Sequence, residues 1–239
     1  MKAMILAAGM GTRLKEYTQN KPKALVEVNG RPLIAHVISK LVEHGFTTIV
    51  VNVHHFANQL IEYLQDNSFG VEILISDESQ QLLNTGGGII NAQQFLSGNK
   101  PFLVHNVDII SDINLSMLYN HHVAKNPLVT LAVARRESTR QFLFDKDMKL
   151  VGWKNLKTND QIIVKPDSAA EEFAFSGIHV ISPSIFKLIK QRGAFSIVDT
   201  YLDLCRNHPI LGYDTTGNYL LDVGKVESLA QASRFLGKG

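Results

Sequence analysis

The feature that most restricts the fold is an alternation running through the first 108 residues. Short apolar runs (AMILAA at 3–8, TTIVVNV at 47–53, VEILIS at 71–76, PFLVHNVD at 101–108) take turns with stretches whose apolar residues recur at helical spacing. The first such stretch, at 30–46, has Pro32 near its start and Gly45 just past its end, the punctuation of a helix. HFANQLIEYLQD at 55–66 predicts a second helix, and the glycines of NTGGGI lead into a third that ends near Phe95. Strands alternating with helices predict βαβ units and an open parallel sheet. Ligands of such sheets bind beyond the carboxyl ends of the strands. The AAG turn, the ISDES segment and HNVD therefore fall along one edge and predict one site.

From about residue 127 the texture changes. LVTLAVARR continues as a strand, and FLFDKDMKLVGWKN predicts a hairpin turning around Asp145–Asp147. EEFAFSGIHVIS at 171–182 reads as a long strand, followed by helical stretches at 183–190 and 196–206. ILGYDTTGNYLLDVG predicts a second hairpin with its turn at Thr215–Asn218, and a helix closes the chain. Without a Pro/Ser-rich linker, residues 1–239 read as one domain, with halves at about 1–126 and 127–239. The expected fold is α/β: a Rossmann-like open sheet, mixed but mainly parallel, flanked by helices, with a smaller β-rich subdomain.

Composition narrows the function. A net charge of +2, from 24 basic and 22 acidic residues, gives no general basic surface for nucleic acid, so any strong positive field is local. Cys205 is the single cysteine, which leaves no intrachain disulfide and fits a reducing cytoplasm. MKAMILAAG turns into glycine and charge too early for a signal peptide, and no apolar run has the length of a membrane span. The expectation is a cytoplasmic protein with no nucleic-acid or membrane partner; a homodimer is compatible with the sequence, which carries no mark of oligomeric state.

The strand at 3–8 drops into Gly9-x-Gly11 followed by Thr12 and Arg13, and Lys21 and Lys23 flank Pro22. A dinucleotide fingerprint needs a third glycine where this chain has Leu14, and Walker spacing is absent. Pro22 stops a long helix from running on from Gly11, so the loop extends to about Leu25. Glycines let a backbone come close to a ligand, and with Arg13, Lys21 and Lys23 the loop reads as a phosphate cradle. Asn106 and Asp108 end an apolar strand over that cradle, and Asp222 ends another. Either aspartate alone is more often a cap, and Asp112 is the better cap candidate for the helix that follows. Two carboxylates meeting above a phosphate would hold Mg²⁺, a hard ion that fills its other positions from water and phosphate.

Three consecutive glycines at 86–88 suggest bare backbone amides, suited to a ribose or base. The segment 76–83 is the candidate for reading the base edge. The pairs His54–His55 and His121–His122 lack zinc spacing, and His105 and His179 read as strand residues of the core or edge. Ser176 lacks a nucleophile elbow. Trp153, the single tryptophan, reads either as a hairpin cap or as a platform for a sugar.

Taken in order, LAAGMGTRL, KPKALVEVNGRPLI, NTGGGI, HNVD, FSGIHV and LLDVG resemble the sugar-1-phosphate nucleotidyltransferases, over essentially the whole chain. The nearest likeness is to small bacterial members acting on hexose-, heptose- or N-acetylmuramate-1-phosphates. The resemblance implies transfer of a nucleotidyl group from an NTP to a sugar-1-phosphate, with GTP or UTP as donor, Mg²⁺ as cofactor and a nucleotide sugar for the cell envelope as product. It implies that Ala8, Gly9, Gly11, Thr12 and Arg13 meet the nucleotide phosphates, and that Gly86 and Gly87 approach the nucleoside. Arg13, Lys23 and Asp108 would be catalytic, with Asp108 and Asp222 holding the metal. Asn106, Lys165, Ser176 and Gly177 would contact the sugar phosphate, in the second half of the chain for the last three. Two positions depart from the family pattern: Val107, where glycine is frequent, and Val164, where a glutamate often precedes the lysine of VKP. The rival readings are a nucleotide-sugar-binding module without turnover and, against Leu14, an NAD-dependent enzyme.

Overall fold

The computed structural model describes residues 1–237. Strand β1 (Lys2–Leu6) runs parallel to β4 (Thr48–Val53) on one side, with Leu6 beside Asn52. Between them lie a two-stranded ribbon, β2 (Glu27–Val28) and β3 (Arg31–Pro32), and helix α1 (Leu33–Glu43), which begins after Pro32 and ends before Gly45 at φ +81°. Helix α2 (Ala57–Asp66) leads to β5 (Glu72–Asp77), parallel to β4. The next helix is α3 (Asn84–Asn91), and its glycines lie inside it; the four-residue α4 (Gln93–Leu96) follows. Strand β6 (Phe102–Asn106) is parallel to β1, so the carboxyl ends of β6, β1 and β4 share one edge, as the alternation predicts.

Short β7 (Ile109–Ser111) precedes α5 (Leu115–Lys125). The cap of α5 is Asn114, whose side chain accepts from the Met117 amide at 2.9 Å; Asp112, expected there, instead accepts from Asn218. Then β8 (Val129–Ala134) is followed by the antiparallel hairpin of β9 (Arg140–Phe144) and β10 (Leu150–Asn155), with β11 (Gln161–Ile163) at the sheet's edge. The long β12 (Glu171–Ile181) joins the halves, pairing with β9 near its start and with β6 near its end. Its register against β8 shifts between Phe175 and His179, where Gly177 takes φ +73°. Ten strands thus make one mixed sheet, parallel around β1 and antiparallel around β9.

Helix α6 (Ile197–Leu204), capped by Ser196, packs against α3 and β10. The predicted second hairpin does not form. Strand β13 (Ile210–Asp214) runs parallel to β8, while β14 (Leu220–Asp222) pairs antiparallel with β7, and α7 (Val226–Leu236) follows. The Thr215–Asn218 turn is real, with Asn218 N–H on Thr215 O at 3.0 Å, but it carries the chain from one sheet to another. Two large apolar clusters fill the interior, one containing the buried face of α1 and one containing that of α6.

Candidate active site

Beyond β1 the chain enters the glycine turn. Gly11 takes φ +66°, a left-handed conformation unfavourable for residues with a Cβ. A methyl there would lie 2.9 Å from Lys23 Cβ and 3.0 Å from Thr18 Cγ2, so the turn and the KPK segment are packed against each other. The loop is not wholly irregular: Thr12–Thr18 and Lys23–Leu25 form 3₁₀ turns. Below it, Ala7 N–H donates to Asn52 Oδ1 at 2.7 Å, and Asn52 Nδ2 donates to Glu78 Oε1 at 2.7 Å. Burial pushes the Glu78 carboxyl up, and bonds from Asn52 and the Leu83 amide pull it back. Glu78 is a buried strut, so segment 76–83 does not offer this carboxylate to a base. The sequence signal for the strut was a polar residue interrupting a β-branched strand.

Lys23 is 6% exposed and donates from Nζ to Asp108 Oδ2. Asp222 stands beside them because β14 pairs with β7: Asp222 is opposite Ile109, and Val223 N–H donates to Asp108 O at 2.8 Å. The aspartates, 114 positions apart, thus occupy neighbouring strand ends. Burial first, and then the charge of Asp108, push the Asp222 carboxyl up, while Lys23, Arg13 and Arg136 pull it back. Arg13 reaches Asp222 at 3.9 Å, with both side chains more than half exposed. Such a pair is weak and mobile, so Arg13 is able to leave it for a ligand.

These groups border a cavity of about 460 Å³ lined by Ala8, Gly9, Gly11, Thr12, Arg13, Lys23, Asn106 and Asp108 among others. A cleft of about 580 Å³ holds Asp222, Trp153, Arg140 and Phe142 and shares Ser196 with the first. Trp153, Phe142 and Ile162 sit opposite one another on adjacent strands. The tryptophan therefore floors a cleft rather than capping a hairpin.

Several residues expected at the site lie elsewhere. Gly86 and Gly87 are buried in α3, and the Gly86 amide donates to Phe195 O at 2.9 Å, so it is not bare. A methyl on Gly86 would meet the Phe195 ring at 2.3 Å, and one on Gly87 the Gly193 carbonyl at 2.2 Å. These glycines permit close packing, and Asn84 and Thr85 line the cavity in their place. Ser176 is fully buried with no bonding partner for its hydroxyl among the described residues, so it faces neither cavity. Gly177 leaves room for Asn106, whose Nδ2 would lie 2.8 Å from a methyl there. Lys165 is exposed and lines neither cavity; its charge is felt at Cys205, beside the end of α6. Residues missed in the sequence are Asn52, Glu78, Thr85, Arg140 and Ser196. Among the described residues no group of three or more His, Cys, Asp or Glu side chains could hold a metal, so the paired aspartates stand alone.

An α/β sheet whose strand ends carry a glycine turn, cations and two neighbouring aspartates is an arrangement able to receive a phosphate group. The chain belongs to the nucleotidyl transferase family, whose model matches residues 2–239. It is 32% identical over 246 residues to the N-acetylmuramate alpha-1-phosphate uridylyltransferase of Neisseria meningitidis, covering 99% of each chain. It is 29% identical to the mannose-1-phosphate guanyltransferase of Yarrowia lipolytica, covering 94% of this chain and 61% of that protein. HddC of Yersinia pseudotuberculosis shares the fold, with a TM-score of 0.77 at 21% identity over 98% of this chain and 99% of that one. No helix of the described residues is long and apolar enough to cross a membrane.

Proposed function

We propose that the chain transfers a nucleotidyl group from an NTP to a sugar-1-phosphate, releasing pyrophosphate, and that UTP with an N-acetylmuramate-type acceptor is its pair. The observation that carries the reaction is that Lys23 and Asp108 line the glycine-turn cavity while Asp222, on the neighbouring strand end, lines the second cleft. The relative of matching length, a uridylyltransferase, supports the choice of pair.

The acceptor phosphate oxygen attacks the α-phosphorus, and the α–β bridging P–O bond breaks as pyrophosphate departs. The attacking oxygen is already ionised near neutral pH, so the protein supplies position and charge rather than a base. Gly9 and Gly11 let the triphosphate lie against the backbone. Arg13, released from Asp222, follows the departing pyrophosphate. Lys23, fixed in a buried position by Asp108, meets charge at the α-phosphate.

The donor set fits Mg²⁺: two hard carboxylates on neighbouring strand ends, one of them pushed up by burial and then by the other's charge, that a divalent cation would neutralise. Asp108 and Asp222 would hold it, and it would screen the phosphate oxygens from the carboxylates. The test is pyrophosphate release by the purified protein with Mg²⁺, UTP or GTP, and N-acetylmuramate-, mannose- or glucose-1-phosphate. Release with at least one pair is expected, fastest with UTP and N-acetylmuramate-1-phosphate; no release from any pair refutes the reaction.

A further inference from the structure

We propose that Arg140 receives a carboxylate carried by the acceptor sugar, and so selects N-acetylmuramate-1-phosphate over the same sugar without its acid. The inference rests on the acceptor proposed above. N-acetylmuramate is N-acetylglucosamine bearing a lactyl ether, and that ether ends in a carboxylate. Such an acceptor brings two anions to the protein, the phosphate that reacts and the acid that does not. The reacting phosphate must reach the glycine-turn cavity, where Arg13, Lys23 and Asp108 stand. The acid then needs a cation of its own. Among the described residues lining the second cleft one is a cation, Arg140, and it does not line the first cavity.

Strand pairing fixes its place. Alternate residues of β9 share a face, which puts Arg140 and Phe142 together. Asn155 of β10 stands opposite Arg140, Trp153 stands opposite Phe142, and Ile162 of β11 stands opposite Trp153. The floor of the cleft is therefore apolar along Trp153, Phe142 and Ile162, and polar at the Arg140–Asn155 pair where β9 begins and β10 ends. An aromatic floor suits the apolar face of a sugar ring, and a polar end suits a charged substituent. The guanidinium is also free to bind. Other cations of this sheet are committed, Arg135 to Glu171 and Lys154 to Glu172. The Arg140 side chain makes no hydrogen bond and no ion pair among the described residues. Two carboxylates share the cleft without pairing with it. Asp222 stands at the strand end beside Asp108, and Asp199 lies in the first turn of α6, where the helix dipole favours a negative charge. The planar fork of a guanidinium matches the two oxygens of one carboxylate.

The test uses Arg140→Gln, Arg140→Lys and Lys149→Gln in the full chain, with UTP, Mg²⁺ and two acceptors that differ by the lactyl ether alone, N-acetylmuramate-1-phosphate and N-acetylglucosamine-1-phosphate. The wild type should prefer the first. For Arg140→Gln the KM for N-acetylmuramate-1-phosphate should rise about tenfold, the low end for a charge-assisted hydrogen bond because the guanidinium is exposed. The KM values for N-acetylglucosamine-1-phosphate and UTP should stay within about twofold, and Arg140→Lys should recover part of the loss. Lys149, at the other end of the hairpin and paired with Asp147, controls for a general loss of positive charge; Lys149→Gln should leave all three constants within about twofold. Equal rises for both acceptors would place Arg140 on a group they share and overturn the proposal. So would no rise for either, a rise of the same size in Lys149→Gln, or a wild type that does not prefer the acid-bearing sugar; in each of these cases pyrophosphate release still upholds the reaction. Should the wild type release no pyrophosphate, the reaction fails, and titration of Trp153 emission with each sugar phosphate decides for Arg140. Tighter binding of the acid-bearing sugar, lost in Arg140→Gln, upholds the proposal, and equal binding or no signal overturns it.

Discussion

Replacing Gly11 by alanine tests whether the glycine turn places Lys23. At φ +66° a Cβ costs about 1 kcal/mol in backbone strain. The new methyl would sit 2.9 Å from Lys23 Cβ and 3.0 Å from Thr18 Cγ2. Relieving two such overlaps costs about 1–2 kcal/mol more, and a stiffer unfolded chain returns about 0.7 kcal/mol. The net loss of about 2 kcal/mol should lower Tm by about 4–8 °C in a chain of this size. The larger effect is on rate. Lys23 must retreat from the methyl, and its ammonium then loses its place on Asp108; losing one preorganised charge contact lowers kcat by about a hundred- to a thousandfold. Gly9→Ala is the control. A methyl at Gly9 has nothing within 4 Å, so Tm should hold within about 2 °C. Because Gly9 lines the nucleotide cavity, its methyl should raise the KM for the NTP. Calorimetry and pyrophosphate-release kinetics on both variants decide. If Gly11→Ala kept both Tm and kcat, the packing of turn against lysine would have no part in placing the charge.

Further outcomes follow from the same contacts. Asp108→Asn strands the buried Lys23 ammonium and should cost about 3–5 kcal/mol in urea unfolding as well as rate, whereas Asp222→Asn, on a half-exposed partner, should slow turnover while stability stays nearly constant; equal destabilisation would refute the distinction. Gly86→Ala and Gly87→Ala should both destabilise, because a methyl at 86 meets the Phe195 ring at 2.3 Å and its carbonyl at 3.0 Å and one at 87 meets the Gly193 carbonyl at 2.2 Å; a thermal melt unchanged in either variant would refute the close packing. Burial holds His105 and His122 at a pKa of about 4 and His179 at about 3, so between pH 4 and 6.5 the unfolded chain binds more protons than the folded one. Stability should be complete above pH 6.5 and fall below it, by up to about 1.4 kcal/mol per pH unit for each histidine; a urea midpoint flat from pH 7 to 5 contradicts this.

Much of this architecture was legible because local chemistry and global packing agree along the first half. Pro32 and Gly45 bracket α1, and the β-branched runs become the parallel strands. The misreadings share a cause, which is that the deciding partner is remote. Gly86 and Gly87 read as bare amides for a nucleoside because Phe195 and Gly193, which require them to be small, lie more than a hundred residues away. Ser176 looked available until the packing of β12 enclosed it. Lys165 follows a strand and reads as a sugar-side cation, and only the fold shows that it lines neither cavity.

The failed hairpin shows most directly how the site arises. Residues 210–222 carry two apolar runs and a hydrogen-bonded turn, everything a hairpin requires locally. Yet β13 pairs with β8 and β14 with β7, each against an apolar surface: β13 joins the sheet from Ile210 to Asp214, and Leu221 of β14 and Val223 just after it pack in a cluster with Leu14, Val28 and Ile110. That cluster includes Leu14 from the glycine loop and Ile110 from the strand after Asp108. The same apolar burial that separates the two strands therefore draws loop, first aspartate and second aspartate to one point. Polar residues that repel one another are held together there by the hydrophobic contacts beneath them, and it is the pairing of β14 with β7, absent from any local pattern, that makes two scattered carboxylates a pair.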